Sequence, residues 1–164
     1  MNQDVTIWQA VTSRISSALP ACEVQRTYDP EHKLKDLESS EKTQVLVCLA
    51  SKTSIMTSKT QTREDYEFQV FVVDYISSKG EQAEEAELDA LLTIPPTIYD
   101  AFAYKTTDAA EGNESINLKL LAGNDYQVEY LTTYETFVAC ITLHVTAIRE
   151  ITETTLPASS TENR

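Results

Sequence analysis

The sequence predicts an α+β fold: a mostly antiparallel β-sheet of four to six strands, packed against an N-terminal helix and a Pro-broken second helix, with a projecting β-ribbon arm. Three observations predict it. Apolar residues near the N-terminus recur at spacings of three and four, the period of one helix face. Later segments alternate apolar with polar residues, or run almost continuously apolar, as half-buried and fully covered strands do. Between two such strands lies a stretch rich in Ser, Thr and Lys without Gly or Pro, a composition that permits an extended ribbon.

The first helix is expected over residues 4–19, where Val5, Trp8, Val11, Ile15 and Leu19 share a face, Asn2 or Asp4 offers an N-cap, and Pro20 ends the run. Residues 22–28 alternate small or apolar with polar side chains and form a short strand closed by Asp29-Pro30. The charged stretch 31–43 is a surface connection with room for one helical turn. Residues 44–50, through Val45, Leu46, Val47, Cys48 and Leu49, suit a strand covered on both faces. Residues 66–76 place Tyr66, Phe68, Val70 and Val72 on one face and Phe71, Val73 and Tyr75 on the other, and pair with 44–50 as an antiparallel hairpin. The intervening 51–65 is read as the projecting arm, with a disordered surface loop as its alternative.

Ser78-Lys79-Gly80-Glu81 has the spacing of a capping box, and the acidic run from Glu81 to Asp89 suits a helix N-terminus. Pro95-Pro96 must kink or divide that helix, so two pieces are expected at about 81–93 and 96–103, with Leu88, Leu91, Leu92, Ile98 and Phe102 facing the core. A polar loop follows over 105–115. Residues 117–121 and 126–131 are short strands around a turn at Ala122-Gly123-Asn124-Asp125. Residues 137–148 give the clearest alternation in the chain, Phe137, Ala139, Ile141, Leu143, Val145 and Ala147 facing the helices. The domain therefore spans 1–151, and 152–164 is a flexible C-terminal tail.

Composition narrows function by exclusion. With 164 residues, 41% hydrophobic and 24% charged, the chain has the length and balance of one globular domain. No apolar run reaches the roughly 20 residues that span a bilayer, and Met1-Asn2-Gln3-Asp4 lacks the features of a signal peptide, so cytoplasmic folding without membrane contact is expected. Thirteen basic against 26 acidic residues give a net charge of −13, which repels a phosphate backbone and argues against specific nucleic-acid binding. The same charge serves solubility, or lets DNA pass close by without sticking. Cys22, Cys48 and Cys140 form no metal-ligand or redox spacing and are expected to be reduced, mostly buried thiols.

With His32 in a charged connection, His144 mid-strand and three glycines in all, no catalytic, cofactor or metal constellation is expected. The run Glu81–Asp89 reads as a solvated helix face or, if identical subunits point it into a shared channel, as an electronegative ring. Spaced tyrosines such as Tyr126, Tyr130 and Tyr134 suit strand surfaces and subunit contacts alike.

The order of elements, together with Ser17-Ala18-Leu19-Pro20-Ala21-Cys22-Glu23-Val24, Arg26-Thr27-Tyr28-Asp29-Pro30 and Leu34-Lys35-Asp36-Leu37, resembles the small tail-terminator, neck and tail-completion proteins of long-tailed bacteriophages. The resemblance covers about 4–150, and Pro95-Pro96 and the tail depart from the simple pattern. It implies a virion structural protein made in the host cytoplasm. Copies, six by the family's habit, form a ring that caps the tail tube, joins it to the head-side connector or stopper, and surrounds passing DNA without specific binding. Such a role implies no enzyme activity and no cofactor. Lys52, Lys59 and Arg63 are then expected on the arm, reaching acidic neighbours, and Glu81, Glu84, Glu85 and Glu87 on the channel or ring surface. Two alternatives remain: a head-tail stopper or other completion protein, and, in another class, a monomeric host-takeover or regulatory binding protein.

Overall fold

A computed structural model describes residues 3–31, 33, 42–76, 81–102, 116–119, 124–126 and 136–150, and the backbone alone at 81–84, 116–119 and 124–126. Helix α1 spans Gln3–Ala18 and buries Ile7, Trp8, Val11 and Ile15. Leu19, just past its end, is also buried. The stripe differs from the expected one at a single place: Ile7 takes the core position and Val5 is only half-buried. The Leu19 amide still donates to the Ile15 carbonyl at 3.0 Å, after which Pro20 stops the helical run.

Strand β1, Glu23–Thr27, is followed by one turn of helix that begins at Pro30, where the Lys33 amide donates to the Asp29 carbonyl at 3.3 Å. Pro suits a first helical position because the amide it lacks would have no partner there. The long strands are β2, Gln44–Met56, and β3, Gln61–Tyr75. Both exceed the expected 44–50 and 66–76, because the Ser- and Thr-rich stretch between them is itself strand and narrows to a turn at 57–60. There the amides of Thr57 and Ser58 both donate to the Gln61 carbonyl, at 3.0 and 3.2 Å.

Helix α2, Glu81–Leu92, and helix α3, Ile94–Phe102, are divided at Thr93. Pro95 and Pro96 sit in the first turn of α3, the place in a helix where missing amide donors cost least. Leu91, Ile98 and Phe102 are buried, whereas Leu92 is 48% exposed and leaves the expected apolar stripe. Two short strands follow, β4 at Ile116–Lys119 and β5 at Asn124–Tyr126, before the long β6, Thr136–Glu150. Asn124 and Asp125 were expected in a turn. They lie in β5 instead, opposite Ile141 and Cys140, because ladder pairing along β6 satisfies backbone groups and outweighs their local turn preference. Of the expected strand 126–131 only Tyr126 is described, at the end of β5; the rest of it, the loop 105–115 and the tail 152–164 fall outside the described residues.

The fold is α+β. Among the described residues the sheet runs β1-β2-β3-β6-β4, with β5 also paired to β6. Since β3 accompanies β6 from Tyr75↔Thr136 to Gln61↔Glu150, β4 and β5 must share the opposite side of β6. Every pairing is antiparallel except β1 with β2, which is parallel, so the connection between them crosses over before β2 begins.

The core lies between one sheet face and the helices. Val45 and Val47, then Tyr66, Phe68, Val70 and Val72, then Phe137, Ala139, Ile141, Leu143, Val145 and Ala147 meet α1, Leu91, Ile98 and Phe102. Trp8 fixes α1 on this layer by donating its indole N–H to the Val47 carbonyl at 3.0 Å. Leu46, Val73 and Val138 point to the other face and are buried as well, so β2 is covered on both sides through Val47, as its continuous apolar run suggests.

Candidate functional site

One extra residue determines which side chains meet on the distal half of β2. Leu49 lies opposite Phe68 but Ser51 lies opposite Glu67, so Ala50 is a β-bulge. A strand alternates its faces residue by residue, and one inserted residue reverses the alternation beyond it. Before the bulge, Val45, Val47 and Leu49 face the helices; after it, Lys52 does, opposite Tyr66.

Lys52 thereby joins a polar cluster on the helix-side face, built from α1, β2, β3 and β6. Its Nζ is 2.5 Å from Asp4 Oδ1 and 3.5 Å from Glu64 Oε1, and lies 5.4 Å from the centroid of the Tyr66 ring. Arg149 Nε approaches Glu64 Oε1 at 3.2 Å from β6. Tyr66 holds one hydroxyl proton between two carboxylates, with its oxygen 2.8 Å from Asp4 Oδ1 and 2.7 Å from Glu64 Oε2. Glu64 is 1% exposed and Tyr66 1%. Two carboxylates facing two cations balance in charge, which is the condition under which a buried carboxylate is tolerated.

Burial, with Glu64 and Asp4 beside it, pushes the Tyr66 phenol far above its ordinary value, so it remains a proton donor at all physiological pH values. For Asp4, burial works upward but is outweighed by the hydrogen bonds from Lys52 and Tyr66, which hold its carboxyl below the usual range. The chemistry available here is charge pairing that staples the first turn of α1 to the hairpin. A phenol held protonated is neither a general base nor a nucleophile.

The opposite face of the same strands carries a second polar row. Arg63 grips Asp65 with two nitrogens, Nε at 3.0 and 3.1 Å and Nη2 at 2.8 Å, and the Thr146 hydroxyl donates to Asp65 Oδ1 at 2.8 Å. The hydrogen bond from Arg63, opposed by partial burial, keeps Asp65 below its ordinary value. His144 Nε2 lies 3.8 Å from Glu67 Oε2, and both side chains are about a third exposed.

The two depressed aspartates give a pH prediction. A carboxyl whose folded pKa is below its unfolded value, near 3.8 for Asp4 and Asp65, contributes stability that is fully present above that value and lost as pH falls through the folded pKa. The melting temperature is therefore expected to hold down to about pH 5 and to drop below about pH 4. In the double variant Asp4→Asn, Asp65→Asn the wild-type advantage should shrink over that acid range, as followed by thermal unfolding across pH. Parallel curves for the two proteins would remove these aspartates from the account.

The residues singled out in the sequence are dispersed. Lys52 lies in the helix-side cluster, Arg63 is on the other face with Asp65, and Lys59 is exposed in the turn at the hairpin tip. Glu85 is exposed and Glu87 half-buried on α2, while Glu81 and Glu84 are placed by backbone only, in its first turns. None of the three cysteines forms a disulfide; Cys48 is buried, and Cys22 and Cys140 are partly buried. Burial raises the Cys22 and Cys48 thiols, with Asp74 and Asp29 respectively adding to it, and leaves them as poor nucleophiles. His32 lies outside the described residues. Among the described residues no group of three or more His, Cys, Asp or Glu side chains converges as a metal site, and no helix is long and apolar enough to cross a membrane.

Asp4, Glu64, Tyr66 and Arg149 were not singled out as a group. One signal for them exists: Glu64 occupies the alternating position shared by Thr62, Tyr66 and Phe68, so an acid stands in line with a core-facing row. The fold and the cluster together define an α+β protein whose long hairpin is clamped by charge to its first helix. The sequence matches no family model and no curated protein.

Proposed function

We propose that this chain is a phage virion structural protein, a tail terminator whose copies, six on the pattern of the tail-terminator family it resembles, close into a ring that caps the tail tube and meets the head-side connector. The observation that carries the reading is the distal hairpin. Every residue from Ala50 to Gln61 is exposed, and Ile55 and Met56 are 47% and 70% exposed. Large apolar side chains at the tip of a long ribbon suit contact with another subunit better than contact with water. In this reading the four-to-six-stranded sheet and the Pro-broken helix pair form the ring's body, and the exposed end of the hairpin, from Ala50 to Gln61, is the arm that reaches the neighbouring subunit.

Charge supports the reading from a second direction. A net charge of −13 leaves DNA free to slide, and the acidic helix α2 suits a surface that DNA passes without gripping. Lys59 at the hairpin tip is the arm cation best placed to reach an acidic neighbour. Lys52 is already occupied by Asp4, and Arg63 by Asp65.

Light scattering after size-exclusion chromatography, with negative-stain images of the same fractions, tests the proposal. The expected result is a closed ring of copies, formed alone or on addition of tail tube protein. A monomer at every concentration, with or without tube protein, is incompatible with it.

A further inference from the structure

We infer that the outer edge of β2, from Ser51 to Met56, is completed by backbone pairing with an extended segment of a second copy of this chain. The inference rests on the ring reading above and names the contact that such an assembly would use. β1 accompanies β2 only as far as Thr27↔Cys48, whereas β3 continues beside it to Met56↔Thr62. From Ser51 onward the inner edge of β2 is therefore paired. Among the described residues no strand pairs with the outer one, and all of these residues are exposed.

An open edge of this kind presents a row of unpaired amides and carbonyls and acts as a template for another strand. Folded proteins usually guard it with proline, outward lysine, or short length. Those guards are weak here. The stretch Ser51-Lys52-Thr53-Ser54-Ile55-Met56 has no proline, and its one lysine is drawn onto the helix-side face by Asp4, Glu64 and the Tyr66 ring. The bulge at Ala50 lies at the inner end, so the six residues beyond it form an uninterrupted ladder with β3. Ile55 and Met56 flank the edge on opposite faces and would be partly covered by an added strand.

Charge selects a second copy as the occupant. Copies carrying −13 each repel one another over most of their surface. The segment from Ala50 to Thr60 holds Lys52 and Lys59 and no acidic residue, so an acidic copy approaches this edge against the least repulsion. Exposed Glu85 and Asp89 on α2 show that such a copy presents the complementary sign.

Two proline variants test the inference in the full-length chain. Neighbouring residues of a strand aim their N–H groups to opposite sides, so of Thr53→Pro and Ser54→Pro one removes a donor from the open edge and the other breaks the ladder to β3. The expected pair of results is one variant that melts close to wild type yet no longer self-associates, and one that is destabilised. Hydrogen exchange on the unmodified protein gives a reading that needs no variant to fold. Alternate amides within 51–56 should slow by about tenfold or more between dilute monomer and assembled protein, roughly the factor one net backbone hydrogen bond supplies. If the wild type assembles while both variants assemble equally and these amides are unchanged, the edge contact is overturned and the ring reading stands. A wild-type chain that stays monomeric both alone and with tail tube protein overturns the ring reading and this contact with it. Amides that slow when a different protein is added to a chain that has not self-associated overturn the second copy as occupant.

Discussion

Replacing Phe68 by alanine is expected to destabilise the fold by ~3–5 kcal/mol, the cost of deleting a large aromatic side chain from a close-packed core. Phe68 is fully buried, lies opposite Leu49 on β2 and Leu143 on β6, and stacks on Tyr66 with ring centroids 6.2 Å apart. It stands where the apolar core gives way to the polar cluster, so its loss removes support from both. The cavity cannot close easily, since β3 is held on both sides by long antiparallel ladders that fix the positions of its neighbours. Urea denaturation should show a lower midpoint with an unchanged slope, the mark of altered stability without altered unfolded compactness. A loss below about 1 kcal/mol would mean that neighbouring side chains refill the space, as in cores that tolerate repacking.

The contrast between Phe68 and Lys52 shows how far the sequence alone carries. Phe68 belongs to the row Tyr66, Phe68, Val70, Val72, whose strict alternation predicts its burial, and β6 is legible in the same way from Phe137 to Ala147. Trp8, Val11 and Ile15 mark the helix face by their spacing. Lys52 illustrates the opposite case. Its facing depends on the bulge at Ala50, and no local pattern in Leu49-Ala50-Ser51 announces an extra residue, because the bulge is defined only by what lies across the ladder.

The parallel pairing of β1 was hidden for a related reason. Alternation over 22–28 indicates a strand, but its direction relative to β2 is set by the crossover before β2. The clamp joins Asp4, Lys52, Glu64, Tyr66 and Arg149 across almost the whole chain, and such long-range meetings leave no trace in spacing. Reading 51–65 as an arm leaving the core also removed Glu64 from the core-facing row to which it belongs. On the charge side, the structure places Lys59, Glu85 and Asp89 at exposed positions and Glu87 at a half-buried one, a difference that the acidic run itself does not announce.

Removal of the Glu64 carboxylate by Glu64→Ala is expected to cost ~3 kcal/mol, the lower end of the range for breaking a buried ion pair. The lower end applies because the Arg149 side chain is 54% exposed and Lys52 30%, so both cations regain water when their shared anion is removed. Lys52 and the Tyr66 hydroxyl also keep Asp4 as a partner, at 2.5 and 2.8 Å. The remaining cost is the buried site itself, emptied between Tyr66, Ser54 and Ala147, with the β6 end of the ribbon no longer tied to β3 by Arg149. Replacing Glu64 and Arg149 together by leucine should recover most of the loss, because an apolar pair avoids the desolvation that the ion pair must overcome. If Glu64→Ala unfolds at the wild-type midpoint, the carboxylate is solvated in the native protein and the clamp contributes nothing. If the double leucine variant is no better than Glu64→Ala, charge is indispensable at this position and the cluster has a role beyond holding α1 against the hairpin.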